Sequence, residues 1–332
     1  MIMMDFTLSN CKDLDVRKVT CGITKRFAIL LGMLVMITSK ALAGASFEVI
    51  DGFKYLLDSD TKTAILMPNT AKYADDVVIP ESVKAKDGND YRITAFGDKC
   101  FEGCWGLTSI TIPSSVTSLG ERCFSSCSGL TSITIPSSVT SLGKWCFIGS
   151  GLTSITIPSS ITSLGEGCFA DCYSLTSINI PSSVTAIGDN CFAYCQSLIS
   201  VTIPSSVTSL GESCFDNCRS LTSITIPSSV TSLGERCFAG CTNLESIYFK
   251  GKKTYSLSDV KISKTCIIYV PAEYLQDYKD ELGPDYKFIY AWNPNESGDD
   301  DKPLTQCATP SVFYGAGKLK FSCETAGAKY HY

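Results

Sequence analysis

The sequence predicts an α/β repeat solenoid, a chain wound into near-identical coils, and three observations carry that prediction. Cys-Phe recurs at Cys100, Cys123, Cys146, Cys168, Cys191, Cys214 and Cys237, at steps of 23, 23, 22, 23, 23 and 23 residues. Each unit then places apolar side chains at L-x-x-I-x-I spacing, as at Leu107, Ile110 and Ile112. Finally, a unit is too small to stand alone. Burying its roughly eight inward residues does not offset the entropy of ordering the whole coil, so neighbours must share one core.

The unit from Cys100 to Arg122 shows how each element arises. Leu107, Ile110 and Ile112 alternate as a strand does, with their side chains inward. Pro113 lacks the N–H a ladder needs and closes that strand. Ser114-Ser115 turns the chain, and Val116 and Leu119 return inside from a second short extended segment. Gly120 and its equivalents Gly143, Gly165, Gly188, Gly211 and Gly234 suit a corner with positive φ. Cys, Phe and the next Cys, at i, i+1 and i+4, fit one turn of helix across the far side.

The phrase CFxxCxxLTSITIPSSVTSLGE resembles the BspA-like (Treponema pallidum-type) leucine-rich repeats of bacterial and protist surface proteins. The family usually has Ala before the Phe, where this chain has Cys. The resemblance spans roughly residues 46–292 and recurs six times with one single-residue deletion. It implies a leucine-rich repeat right-handed superhelix with one main β-strand, a second short strand and a short helical turn per repeat. It also implies secretion or surface display, and adhesion or other protein–protein binding.

The remaining chain divides around the repeats. Lys25-Arg26, the apolar run Phe27–Ile37 and Ala41-Leu42-Ala43 read as a secretory signal over residues 1–43, cleaved near Ala43. An N-terminal membrane anchor is the alternative, although the run is short for a span. Residues 44–99 read as an N-terminal cap and a degenerate first repeat with an insertion at Lys84–Asp90, followed by the repeats at 100–244. Residues 245–292 read as a C-terminal cap of strand, short amphipathic helix (Ala272–Glu281) and closing strand. An acidic linker at 293–306 leads to residues 307–332, the truncated start of a β-sandwich-like domain in which Cys307 and Cys323 could pair.

Composition narrows the function. The net charge is −5, and residues 100–244 carry only 12 charged side chains, which leaves no basic patch for nucleic acid. The one histidine is His331, so Ser-His or Cys-His catalysis has no base in the repeats. Glu121, Glu166, Glu212 and Glu235 recur at one repeat position, a solvated row rather than two acids across a cleft. GAGK near Gly315 lacks the spacing of a phosphate loop. Neither an enzyme nor a bound cofactor or metal is expected.

Thirteen of the 18 cysteines lie in the repeats. Buried thiols, some disulfides, or a metal site are the three readings. Ser150 stands where Cys146 should find its partner, leaving an odd number, and both cysteine positions point inward, where a thiol packs as a small hydrophobe.

Two surfaces could bind. One is a hydroxyl ladder on the outward side of the sheet: Ser109, Ser132, Ser154, Ser177, Ser200 and Ser223 beside Thr111, Thr134, Thr156, Asn179, Thr202 and Thr225. It reads either as strand-compatible threonine, as a docking face for protein or glycan, or as an ice- or mineral-binding array. The other lies where the copies differ, around Trp105, Trp145, Tyr173, Tyr194 and Arg219, with Ile148, Asp171, Gln196, Asn217 and Arg236. Trp, Tyr and Arg dominate interface hot spots, although unconstrained surface drift gives the same pattern. The reading reached is a secreted or cell-surface, adhesin-like module without catalysis, with no membrane span in the mature chain. Its partner would be a host or neighbouring-cell surface or extracellular protein, or a glycan. The alternatives are a targeting arm of a larger enzyme or surface complex whose active domain lies beyond residue 332, and a structural spacer.

Overall fold

The computed structural model describes residues 45–252 and 254–292, together with the backbone of two short strands at 311–315 and 318–322. The secretory signal, the acidic linker, the Cys307–Cys323 pair and His331 lie outside the described residues.

The chain enters through an antiparallel sheet of β1 (Ala45–Ile50), β2 (Phe53–Asp58) and β3 (Thr63–Met67). The turn between β1 and β2 is Asp51-Gly52, both at positive φ, which suits a tight hairpin. Next come β4 (Asp75–Val78), β5 (Ser82–Lys84) and β6 (Asp90–Phe96). The insertion at Lys84–Asp90 is the tip of the β5–β6 hairpin, in which Ser82 faces Arg92 and Lys84 faces Asp90.

From here the coils carry two strands each, except that the coil holding the short strand Ser141–Leu142 has no first strand. The first comprises β7 (Leu107–Thr111), β10 (Ser154–Thr156), β12 (Ser177–Asn179), β14 (Ser200–Val201), β16 (Ser223–Ile226) and β18 (Ser246–Phe249). The second comprises β8 (Ser118–Leu119), β9 (Ser141–Leu142), β11 (Ser163–Leu164), β13 (Ala186–Ile187), β15 (Ser209–Leu210) and β17 (Ser232–Leu233). Within each of the sheets β10–β12–β14, β11–β13–β15–β17 and β16–β18 equivalent strands pair in parallel, with Ile155 opposite Ile178 and Leu164 opposite Ile187. The expected two strands per unit are therefore found in the other coils, closed by Pro-Ser-Ser turns.

The third side contains no α-helix. Its N–H groups alternate: those of Cys123, Ser125 and Cys127 bond back to Gly120, Arg122 and Phe124, while those of Arg122, Phe124 and Ser126 reach the carbonyls of Lys144, Cys146 and Ile148 in the next coil. An α-helix would spend every N–H inside its own chain, leaving coils unbridged on this side. The alternation instead produces tight one-turn loops with left-handed residues just before each Cys position, at Arg122 (φ 54°) and Ser126 (φ 58°).

This corrects the role read for glycine. Gly120 and its equivalents do not have positive φ. They are small because the coils nearly touch: a Cβ on Gly143 would lie 2.4 Å from the backbone nitrogen of Glu121, and one on Gly234 2.3 Å from that of Glu212. Gly165 alone among them would meet nothing closer than 3.9 Å. It follows the 22-residue step, and there β9 and β11 do not pair, while residues 130–136 of the preceding coil form no strand.

One continuous interior runs along the stack. Phe101, Phe124, Phe147, Phe169, Phe192, Phe215 and Phe238 form a column of parallel rings with centroids 5.2–5.8 Å apart. Flanking it are rows of fully buried Leu, Ile, Val and Cys. Hydroxyls tie the coils at their edges. The Oγ atoms of Ser138, Ser183 and Ser206 donate to the carbonyls of Val116, Ile161 and Val184 at 2.7, 2.6 and 2.6 Å. The Oγ1 atoms of Thr140, Thr185 and Thr208 likewise reach the carbonyls of Thr117, Thr162 and Thr185. Much of the serine and threonine text is thus structural.

The stack ends in β19 (Ile267–Pro271), a 3₁₀ turn at Ala272–Tyr274, helix α1 (Leu275–Leu282) and β20 (Ile289–Trp292). Strands β16, β18, β19 and β20 form one parallel sheet. Helix α1 buries Tyr278 and Leu282, and Tyr278 packs on Phe249 at 5.2 Å. Beyond it, β21 (Ser311–Gly315) pairs antiparallel with β22 (Lys318–Ser322). Among the described residues, no helix is long and apolar enough to cross a membrane.

Candidate interaction surfaces

The thiols belong to the core. The 14 described cysteines are free and buried, so the disulfide reading does not hold for them. The second Cys of each pair donates across coils: Sγ of Cys127, Cys195, Cys218 and Cys241 lies 3.0–3.1 Å from the carbonyl oxygens of Phe101, Phe169, Phe192 and Phe215. Ser150 takes the same place in its coil and meets Cys172 Sγ at 3.3 Å. Burial pushes the Cys172 thiol up to about 11 and those of Cys127 and Cys241 to about 12. Burial raises Cys123, Cys168 and Cys214 further. Such groups stay neutral at ordinary pH and are poor nucleophiles or metal ligands.

The outward hydroxyl column is a real ladder. Ser154, Ser177 and Ser200 are register partners, as are Thr156 and Asn179. Ser109, Thr111, Ser132, Thr134, Ser154, Thr156, Ser177, Asn179, Ser200 and Thr202 are exposed, and Ser223 and Thr225 are half-buried. At its N-terminal end Asp76 accepts from the hydroxyls of Thr108 and Ser109 at 3.0 and 2.7 Å, which lowers its pKa.

The variable residues separate into rows on the turn side. Trp105, Tyr173 and Arg219 share the position after the second Cys, with Trp105 and Tyr173 three coils apart. Trp105 is 70% exposed, Tyr173 53% and Tyr194 41%. Tyr173 donates to Asp171 Oδ1 at 2.9 Å, a bond that raises its own pKa. Tyr194 stands one position before its Cys at φ 61°. Trp145 is not with them. It precedes the first Cys, is half-buried, lies against Gly167, and carries the Arg122 guanidinium at 5.0 Å from its ring centroid. Arg236, in the same row, pairs with buried Asp216 at 3.7 Å.

One feature of the outward face was not read from the sequence. The hydroxyl column runs into aromatic residues at its C-terminal end, where Thr225 is opposite Tyr248, Tyr248 opposite Tyr269 and Tyr269 opposite Tyr290. The signal was present: SIYFK at 246–250 is SITIP of the repeat with Tyr in the outward threonine position.

Residues 94–188 and 163–270 match the BspA type leucine rich repeat region, in six copies, which is more than half of the chain. The chain belongs to the BspA-type leucine-rich repeat family. Its solved likenesses are bacterial. The leucine-rich repeat protein of T. pallidum is 26% identical, over 65% of this chain and 93% of that one, with a TM-score of 0.40. A leucine-rich cell surface protein of Faecalibacterium prausnitzii is 22% identical over 68% and 89%, with a TM-score of 0.39. A leucine-rich repeat protein of Bacteroides ovatus is 23% identical over 73% and 81%, with a TM-score of 0.37. No curated protein matches the chain. A BspA-type solenoid is typically a scaffold suited to binding.

Proposed function

We propose that this BspA-type solenoid is an exported, adhesin-like module that binds an extracellular or cell-surface protein through its turn side and performs no catalysis. The carrying observation is that Trp105, Tyr173 and Tyr194 stand exposed on a body whose other large side chains are mostly buried. Exposed aromatics cost solubility and gain their energy when a partner covers them. The rigid Phe column and the three-sided hydrogen bonding beneath hold them in fixed relative positions, so little entropy is lost on docking. The signal read at residues 1–43 supports export.

The test is surface plasmon resonance of the immobilised protein against a panel of extracellular matrix proteins. Saturable binding is expected, weakened about tenfold or more in a Trp105→Ala, Tyr173→Ala, Tyr194→Ala variant. Equal binding by the variant would favour the spacer reading, and no saturable partner in the panel would count against adhesion.

A further inference from the structure

The outward aromatic cluster lies on a different face from the turn side and is built unlike a solvated strand surface. Tyr248 and Tyr269 stack with centroids 4.6 Å apart and planes within 6°. Tyr290 continues the row at 6.2 Å from Tyr269, and Trp292 reaches back to Tyr248 at 5.9 Å, edge to face. Tyr290 is 48% exposed on the last strand of its sheet. Its described ring contact is with Tyr269 on the inner side.

The chemistry beside this cluster is equally specific. From Ser109 to Trp292, the outward positions within the first strands are serine, threonine, asparagine, isoleucine, tyrosine, proline and tryptophan, and Glu245 and Lys250 flank the strand that carries Tyr248. The hydroxyls of Ser138 or Thr140 are spent on carbonyls of the preceding coil. Those of Thr156, Thr202 and Thr225 stand on the outward face instead. The surface therefore offers a platform of rings, then outward hydroxyls at the regular spacing of coils about 4.8 Å apart.

That combination matches one ligand chemistry. A pyranose has an apolar C–H face, which packs on an aromatic ring, and a rim of hydroxyls, which exchange hydrogen bonds with other hydroxyls and amides. An acidic polymer would find one cation beside the cluster, Lys250, with Glu245 at the other end of the same strand, and none along the hydroxyl positions from Ser109 to Thr225. We propose that the aromatic end of the outward sheet is a binding site for a neutral polysaccharide, with a sugar ring stacked on Tyr290 and Trp292 and the following units lying along Tyr248, Thr225 and Thr202. The site is independent of the protein-binding reading of the turn side.

Native gel electrophoresis of the full chain in gels containing soluble β-glucan, mannan, dextran or the acidic polymer heparin tests this. Retardation by at least one of the three neutral polymers is expected, unaffected by added salt. Tyr290→Ala with Trp292→Ala should weaken it about tenfold or more, while Tyr290→Phe with Trp292→Phe keeps the rings and most of the binding. Trp105→Ala, Tyr173→Ala should leave it unchanged, which separates this site from the turn side. Circular dichroism of each variant checks that the solenoid is intact. Retardation by heparin alone, by none of the neutral polymers, or equally in the double-alanine variant would overturn the proposal. Retardation that appears only once residues 293–332 are removed would also overturn it, and would identify the chain's own C-terminal segment as the occupant.

Discussion

Raising the pH should unfold this protein in a narrow range, because its core is lined with thiols that cannot ionise in place. Twelve described cysteines combine near-complete burial with a raised pKa caused first by desolvation. The lowest of these thiols stands at about 11, against about 8.5 for a thiol in the unfolded chain. The folded state therefore holds more protons than the unfolded state above pH 8.5. Stability is fully present below that value and falls as pH rises toward the folded pKa values. One unit above the unfolded pKa, each thiol withdraws about 1.4 kcal/mol, so the set withdraws about 17 kcal/mol at most. A chain of this size is stable by on the order of 10–40 kcal/mol, which puts the transition between about pH 9 and 11. The assay follows far-ultraviolet circular dichroism and thiolate absorbance together, under a reductant. Both should change in one step. Thiols titrating near pH 8.5 while the dichroism stays native, or a fold persisting at pH 12 without thiolate, would refute the reasoning.

Four further outcomes follow from the packing between coils. Gly143→Ala and Gly211→Ala force a Cβ within 2.4 Å of neighbouring backbone and should each cost about 1–3 kcal/mol in urea unfolding. Gly165→Ala, with open space, should be neutral or gain about 0.4–1 kcal/mol. Phe169→Ala breaks a column in which its neighbours lie 5.4 and 5.7 Å away and should cost about 3–5 kcal/mol by the same measurement. Ser183→Ala strips the carbonyl of Ile161 of a 2.6 Å hydrogen bond and should cost about 0.5–1.5 kcal/mol.

What could be read beforehand was whatever is written within one unit. Ser177-Ile178-Asn179 declares a strand by its alternation, and Pro181 ends it. Val184 and Ile187 declare the second strand in the same way. These are local signals of period and punctuation. The hydrogen bonding of the turn side was not legible because it is decided between units: Arg122 and Ser126 adopt left-handed conformations so that alternate N–H groups reach Lys144 and Ile148. Cys-Phe-x-x-Cys alone does not reveal where its donors go. Gly120 failed for a related reason, since its smallness answers the backbone of Gly97 and Asp98, a coil away. Among the candidate binders, exposure of Trp105 and Tyr173 was legible from their departure from the repeat. Trp145 departs equally, yet the neighbouring glycine at 167 gives its ring a place to lie. Tyr248, Tyr269 and Tyr290 escaped because a tail that has left the consensus still keeps its register.

The 22-residue step between Cys146 and Cys168 shows what this architecture tolerates as its gene changes. At that step both ladders are interrupted, yet the ring column stays continuous through Phe147 and Phe169. Adding or removing a whole unit would disturb less, since each coil presents its neighbours with the same two faces. Length is then an adjustable property: each whole unit added or removed would lengthen or shorten the molecule's reach without rewriting either end.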